Sequence, residues 1–537
     1  MKNSLRFRWF SAVVVALALP VQACTDLTEN PKSLITPGSF FRTEAEVVGG
    51  VAGVYNLLRN DGTLWGYYNM SELSTDEMIV PTRGQDWKDN GRWLELHRQT
   101  WQAGSPAGLD DIERIYRDSF TGVARANVLL DRLKTVTITN QAPIEAELRT
   151  LRAFFYYLLL DDFGGVPLAT DAAIMPRARV TRDSLFRFIE SELLAVRADL
   201  PLTRPANEWG RIRRGVADAI LASIYLNAGV YTKNTGVSAT AYNSCSGVIV
   251  AAPGASDACA AAIAYSDSIL NSGVYSLAAN WRSNFTADNR SSLENIFVAR
   301  NLNQSGLGLN FPMRALHYNQ FTPSPWNGFS AVAEAYQAFD AADQRRQIFL
   351  VGQQYQLERL AVGDTVPVND RGGSPLVFTD TIGDATNAHE NEGARIMKYS
   401  IDPAHVAENN ANDYVFFRLG EIYLIKAEAL NEQTPGSATA LGLVNTLRAR
   451  VFSPANPRGA IDRAGILQER LFEMTGEGKR RSDLIRHGKY TTWTEATING
   501  HNAATENFRI LLPIPQSEID VNPLLCQNPG YGGTACP

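Results

Sequence analysis

The segment from Ser74 to Trp101, STDEMIVPTRGQDWKDNGRWLELHRQTW, gathers Trp87, Trp93 and Trp101 beside Arg83, Gln85, Asp86, Asp89 and Asn90. Gly84 and Gly91 bracket the first tryptophan, which predicts a loop and not a buried helical face. Flat aromatic rings next to amides, carboxylates and a guanidinium suit a carbohydrate. The apolar C–H face of a sugar ring lies on an indole, while the polar neighbours satisfy its hydroxyls. For any one of these tryptophans the alternative is packing over a small core beneath the loop. The stretch His317-Tyr318-Asn319-Gln320 through Pro325-Trp326-Asn327-Gly328 offers the same combination. Prolines on both sides of Ser324 and the Asn-Gly step mark a turn that presents Trp326. The residues expected to touch a ligand are Arg83, Asp86, Trp87, Trp93, Tyr318, Trp326 and Asn327.

Signatures of catalysis are fragmentary. Asp162-Phe163-Gly164 spells a kinase metal-binding triplet without its Gly-rich or catalytic loop, and it falls at a helix end. Gly476-Glu477-Gly478-Lys479 has Glu473 where a phosphate loop needs its first glycine. His389-Glu390 has no second histidine four residues on, and no Gly-x-Ser-x-Gly elbow occurs. A pair of glycosidase carboxylates needs nearness only in space, so a secreted hydrolase stays the alternative of a different class. No catalytic residue and no cofactor are assigned. There is no EF-hand loop, and an irregular Ca²⁺ site of carbonyls and carboxylates leaves no sequence signature. A net charge of -6 argues against a nucleic-acid partner, which calls for a basic stripe.

These groups need a frame, and the frame reads as mostly α-helical. From Glu145, apolar residues fall at Leu148, Leu151, Phe155 and Leu158, and Gly164-Gly165 with Pro167 ends the run. A second helix carries Ala217, Leu221, Ile224 and Ala228 and stops at Gly229. A third spans about 413–432, with Phe416, Leu419, Tyr423 and Ala427 on one side. A turn at Pro435-Gly436 leads to a fourth bearing Leu441, Val444 and Leu447. Two helices joined by a tight turn form a hairpin of the tetratricopeptide (TPR) kind, and Leu419-Gly420-x-x-Tyr423 reproduces part of that pattern. The rest of the pattern is missing, so TPR-like packing is expected without a regular array. Between about 231 and 412 the chain is rich in Gly, Asn, Ser, Pro and Thr, with short extended runs such as Asn295 to Ala299. The expected layout is a helical-hairpin scaffold at about 40–230 and 413–490. A loop-rich ligand-side insert with short strands fills 231–412, and a tail covers 491–537.

The start of the chain carries an export signal. Lys2, Arg6 and Arg8 precede an apolar run from Trp9 to Leu19, and Pro20-Val21-Gln22-Ala23 leads into Cys24. The run is shorter than the roughly 20 residues that span a bilayer. A cysteine directly after the small residue fits a lipobox, although Val21 and Gln22 depart from its usual residues. The expectation is a signal peptide over 1–23, and a single mature domain over 24–537. That domain is held to a membrane by acyl chains on Cys24, each buried methylene adding about 0.8 kcal/mol. The other cysteines form two sequence-local pairs. In an exported protein the economical reading is two disulfides, Cys245–Cys259 and Cys526–Cys536, with free buried thiols as the alternative.

Several stretches share an order. They are Asn30-Pro31 before the apolar segment 40–58, then Ser74-Thr75-Asp76-Glu77, then Leu151 to Tyr156 with Phe163-Gly164-Gly165-Val166-Pro167-Leu168. Next come Arg418 to Leu424 with Ala427-Glu428-Ala429, and Glu473-x-x-Gly476-Glu477-Gly478 with Arg480, Asp483 and Leu484. The tail carries Leu512-Pro513-Ile514-Pro515, Asn522-Pro523 and Gln527-Asn528-Pro529-Gly530-Tyr531. In this order they resemble the SusD/RagB family of outer-membrane glycan-binding lipoproteins over nearly the whole chain. The resemblance implies a non-catalytic, lipid-anchored protein on the outer face of a Gram-negative outer membrane. It implies oligosaccharide, or in some members peptide or another nutrient, as ligand, and a TonB-dependent β-barrel transporter of the SusC kind as partner. It also makes the signature segments core-building, with Arg480 and Asp483 in internal ion pairs.

Overall fold

The computed structural model describes residues 41–533, apart from 61, 361–362, 497 and 499–503. The leader, Cys24 and Cys536 lie outside the described residues. The first long helix, α1 (Glu44–Tyr55), starts with a capping box: Thr43 accepts from the Glu46 amide while Glu46 reaches back to the cap. Helix α2 (Glu113–Leu133) packs on α3 (Gln141–Phe163), and α3 packs on α4 (Arg182–Val196). From Thr150 to Phe163 every residue of α3 is buried, so this helix is apolar nearly all round and forms the centre of the core. Gly164 ends it with φ 72, where a side chain is disfavoured, as the Gly-Gly step predicts.

The second half of the scaffold is a chain of helix contacts. Helix α5 (Arg214–Leu226) lies on α6 (Ala258–Leu270), α6 on α7 (Leu419–Gln433), and α7 on both α8 (Ala438–Ala449) and α9 (Arg463–Met474). The expected α7–α8 hairpin is present. Gly436 turns at φ 75, and Ser437 caps α8 by accepting from the Ala440 amide.

Three expectations need correction. The helix anticipated from 413 starts only at Leu419. The preceding Tyr414–Arg418 is a strand, antiparallel to Asn295–Ala299, because its five residues are all buried and rich in aromatic and β-branched types. Gly229 does not stop a helix but sits inside a short turn, Ala228–Tyr231. A Cβ there would lie 2.2 Å from the Ser244 carbonyl, so it is a point of close backbone approach. The segment 231–412 is also not wholly irregular, since it contributes α6 to the scaffold. Its remaining strands are short: Ser330–Ala331 pairs with Met78–Ile79 from the N-terminal half, Phe349–Leu350 with Arg395–Ile396, and Gly352–Gln353 with Val377–Phe378.

The signature segments meet in a buried ionic network. Arg418, fully buried, reaches Glu294 at 2.9 Å and Glu473 and Glu477 at 2.7 Å. Arg480 bonds Asp76 at 2.7 Å, and Asp483 bonds Arg470 at 2.7 Å and Arg486 at 2.8 Å, the internal pairing the resemblance implies. Cys245 and Cys259 form a disulfide. Cys526 is disulfide-bonded as well. Among the described residues no helix is long and apolar enough to cross a membrane.

Candidate functional site

Pairing of Met78–Ile79 with Ser330–Ala331 sets the 82–93 segment beside the 317–329 segment. Trp87 lies in the left-handed region (φ 58), as do Gly84, Asp89, Asn90 and Gly91. A bulky residue there is strained unless its surroundings hold it. They do: the Trp87 indole N–H donates to the Trp326 carbonyl at 2.5 Å, and the ring packs edge-on against Trp93 and Phe329. Gly328 permits this, because a Cβ on it would lie 2.3 Å from the Trp87 ring. The Trp326 turn is itself pinned, its amide donating to Met313 O at 2.7 Å and the Asn327 amide to Leu316 O at 2.8 Å.

A third tryptophan completes the face. Trp65 stacks with Trp326 (centroids 6.1 Å, planes 22° apart) and approaches Trp93 at 6.4 Å. It sits in a turn of π-helix, Gly62–Tyr67. Gly62 and Gly66 lie flush on the start of α2, where Cβ atoms would come within 2.4 Å of Asp118 and 2.8 Å of Ile115. The Arg314 guanidinium lies 3.5 Å from the centre of the Trp65 ring and fixes it from beneath. Trp65, Trp87 and Trp326 are each half-buried, packed on the core along one flank and open along the other.

Beside the rings runs a polar arm. The Tyr318 hydroxyl donates to Asp86 at 2.5 Å, and Arg371 stacks 4.1 Å over the Tyr318 ring. Arg371 also reaches Asp86 at 3.5 Å and Glu390 at 2.8 Å, and Glu390 lies 3.2 Å from His317. Burial, then the bond to Asp86, pushes the Tyr318 hydroxyl up to about 12, so it stays protonated. Burial raises Glu390, but the bonds from Arg371 outweigh it and hold the carboxylate below its ordinary range. Burial also lowers His317 from its ordinary value, against the opposing pull of Glu390. The arm thus shows a fixed set of one cation, two carboxylates and a hydroxyl next to aromatic planes.

The predicted ligand residues divide. Asp86, Trp87, Tyr318 and Trp326 come together on this open face. Arg83, Trp93 and Asn327 do not, being 3%, 2% and 0% exposed. Trp93 belongs to the helix Arg92–His97, and its N–H is spent on Asp89 at 2.5 Å. Arg83 donates to the carbonyls of Asn327 (3.0 Å), Glu392 (2.8 Å) and His389, and burial lowers it to about 10. Asn327 donates to Glu390 O at 3.0 Å and accepts from Arg395 at 2.8 Å. These three are staples that hold the loops together, not contacts for a ligand. Trp65, Arg371 and Glu390 were missed. A tryptophan framed by Gly62 and Gly66 is the signal that marks the first, and nothing local marks the other two. Among the described residues no group of three or more His, Cys, Asp or Glu is placed to hold a metal ion.

Comparison with known proteins gives the fold its relatives. Residues 266–531 match the SusD family. The starch-binding protein SusD of Bacteroides thetaiotaomicron is 27% identical, over 99% of this chain and 100% of its own. Surface glycan-binding protein A of the same species, solved with laminarihexaose, superposes with a TM-score of 0.68 at 20% identity, over 90% of this chain and 99% of that one. Its counterpart from Bacteroides uniformis gives 0.70 at 19% identity, with the same coverage. Full-length similarity, the matched region and the shared helical scaffold agree: over its whole length the chain is similar to proteins of the SusD family.

Proposed function

We propose that this protein is a non-catalytic, cell-surface binding protein that captures an oligosaccharide on the face built by Trp65, Trp87, Trp326 and Tyr318. Acyl chains on Cys24 tether it to the outer membrane, facing outward, and it hands its ligand to a TonB-dependent β-barrel. The observation that carries the reading is the trio of half-buried tryptophans aligned beside the Asp86–Arg371–Glu390 arm. Rigid apolar planes next to fixed hydrogen-bonding groups are what a sugar ring requires. The relatives named for binding starch and for a laminarihexaose complex support a glycan as ligand. Tethering near a transporter raises the local ligand concentration without any new contact.

Affinity electrophoresis through gels loaded with α-glucan, β-glucan or other polysaccharides tests capture. Retardation by at least one polysaccharide, with no reducing sugar released, is the expected result. Release of reducing ends points instead to a hydrolase. Replacing Cys24 with Ser is expected to move the protein out of the membrane fraction while retardation is kept, and a large β-barrel should co-purify only with the anchored form.

A further inference from the structure

A groove of about 300 Å³ opens between α1 and the segment 207–211, away from the tryptophan face and sharing no residue with it. Its size is at the small end of pockets that hold small molecules. Trp209, half-buried, lines it and a second, smaller hollow too. The indole N–H donates to Asp413 at 2.7 Å, which fixes a ring that packs in part against the core and has the Arg213 guanidinium 6.0 Å from its centre. Tyr55 spends its hydroxyl inward, donating to Glu147 at 2.5 Å and accepting from the Ile212 amide at 2.7 Å. What it offers the groove is its ring. Val48, Ala52 and Val298 complete an apolar wall.

The charge on the rim is unbalanced. Arg211 is compensated by Glu147 and Glu208, both at 2.6 Å. Arg59 and Arg300 form no ion pair among the described residues. Arg59 donates only to neutral oxygens, Asn56 Oδ1 at 3.1 Å and Gly306 O at 3.0 Å. The Arg300 stem lies against Gly210 (φ 86), where a Cβ would come within 2.7 Å of Arg300 Cγ. That packing directs an exposed guanidinium to the groove mouth. Two guanidinium groups without a close ion pair, of which Arg300 feels only the Asp413 charge, stand over aromatic walls and suit a ring that carries one carboxylate, since Arg binds carboxylates bidentately.

We infer that this groove is a second ligand site, specific for a carboxylated sugar ring such as a uronic acid. Saturation-transfer NMR on the full-length protein, with glucuronate as probe and glucose as the neutral comparator, tests it. Glucuronate should receive saturation and glucose little. Arg300→Ala and Arg59→Ala, both changed at the solvent edge, should each weaken glucuronate at least about tenfold, or about 1.4 kcal/mol. Trp326→Ala should leave it unchanged, which separates this site from the tryptophan face. Equal transfer to both sugars, no effect of either arginine change, or loss of glucuronate binding in Trp326→Ala overturns the inference.

Discussion

Adding one methyl group at Gly328 tests whether Trp87 is a rigid platform. The Gly328 backbone is not left-handed, so alanine fits the chain itself. Its Cβ, however, would lie 2.3 Å from Cε2 and 2.4 Å from Cζ2 of Trp87. Ordinary carbon contact begins near 3.5 Å, so the ring must retreat by roughly an ångström. That shift breaks the 2.5 Å bond from the indole N–H to Trp326 O and separates the ring from Trp93 and Phe329. One hydrogen bond is worth about 1 kcal/mol. Two aromatic pairs add about 0.5–1.5 kcal/mol each. Gly328→Ala should therefore cost about 2–4 kcal/mol, read as a lowered urea midpoint with an unchanged slope. Because Trp87 is half-buried it can swing into water, so the fold should persist while glycan affinity falls at least about tenfold. Gly104→Ala, with open space around its Cβ, is the control and should stay within about 0.5 kcal/mol of wild type. A Gly328→Ala protein equal to wild type in both stability and affinity refutes the rigid-platform argument.

Two further outcomes test the core. Arg418→Met removes the cation shared by Glu294, Glu473 and Glu477 and should cost about 3–5 kcal/mol in urea unfolding, since it strands buried carboxylates; a loss below about 1 kcal/mol contradicts the network. Burial raises the Glu72 and Glu77 carboxyls, Glu77 to about 7. Between the ordinary glutamate value of 4.5 and about 7 the folded state then holds more protons than the unfolded one, so this group's stabilising contribution falls as pH rises through that window. Glu77→Gln, which mimics the protonated form, should gain on the order of 3 kcal/mol over wild type at pH 8 and nothing at pH 4. A gain that is equal at both pH values removes titration of Glu77 as the cause.

What the sequence made legible was local. The end of α3 at Gly164, the α7–α8 turn at Gly436 and the Trp326 turn each depend on a few neighbouring residues, and each stands where the pattern puts it. Tyr414–Arg418 misled because its apolar residues continue the helical stripe of α7. Only the partner strand at Asn295–Ala299, over a hundred residues earlier, decides its state. The site divides the same way. Composition picked out Trp87 and Trp326, and both rings are half-buried. It could not separate them from Trp93, whose burial depends on Phe329 and on the helix Arg92–His97 turning inward. Arg83 and Asn327 look like ligand groups by type, yet the loop carbonyls that use up their hydrogen bonds come from Glu390 and its neighbours. Arg371 sits in the Asp370–Ser374 reversal, which its Gly-Gly step marks as a turn, but nothing local places that turn against Tyr318 and Asp86.

The central claim is that an oligosaccharide lies on the tryptophan face, and isothermal calorimetry reaches it most directly. Wild type, Trp326→Ala and Trp93→Phe should be titrated with a panel of α- and β-linked oligosaccharides. At least one oligosaccharide should bind wild type, Trp326→Ala should weaken it at least about tenfold, and Trp93→Phe, at a buried ring, should leave affinity within about threefold. Binding that survives Trp326→Ala unchanged would place the oligosaccharide elsewhere than on the tryptophan face.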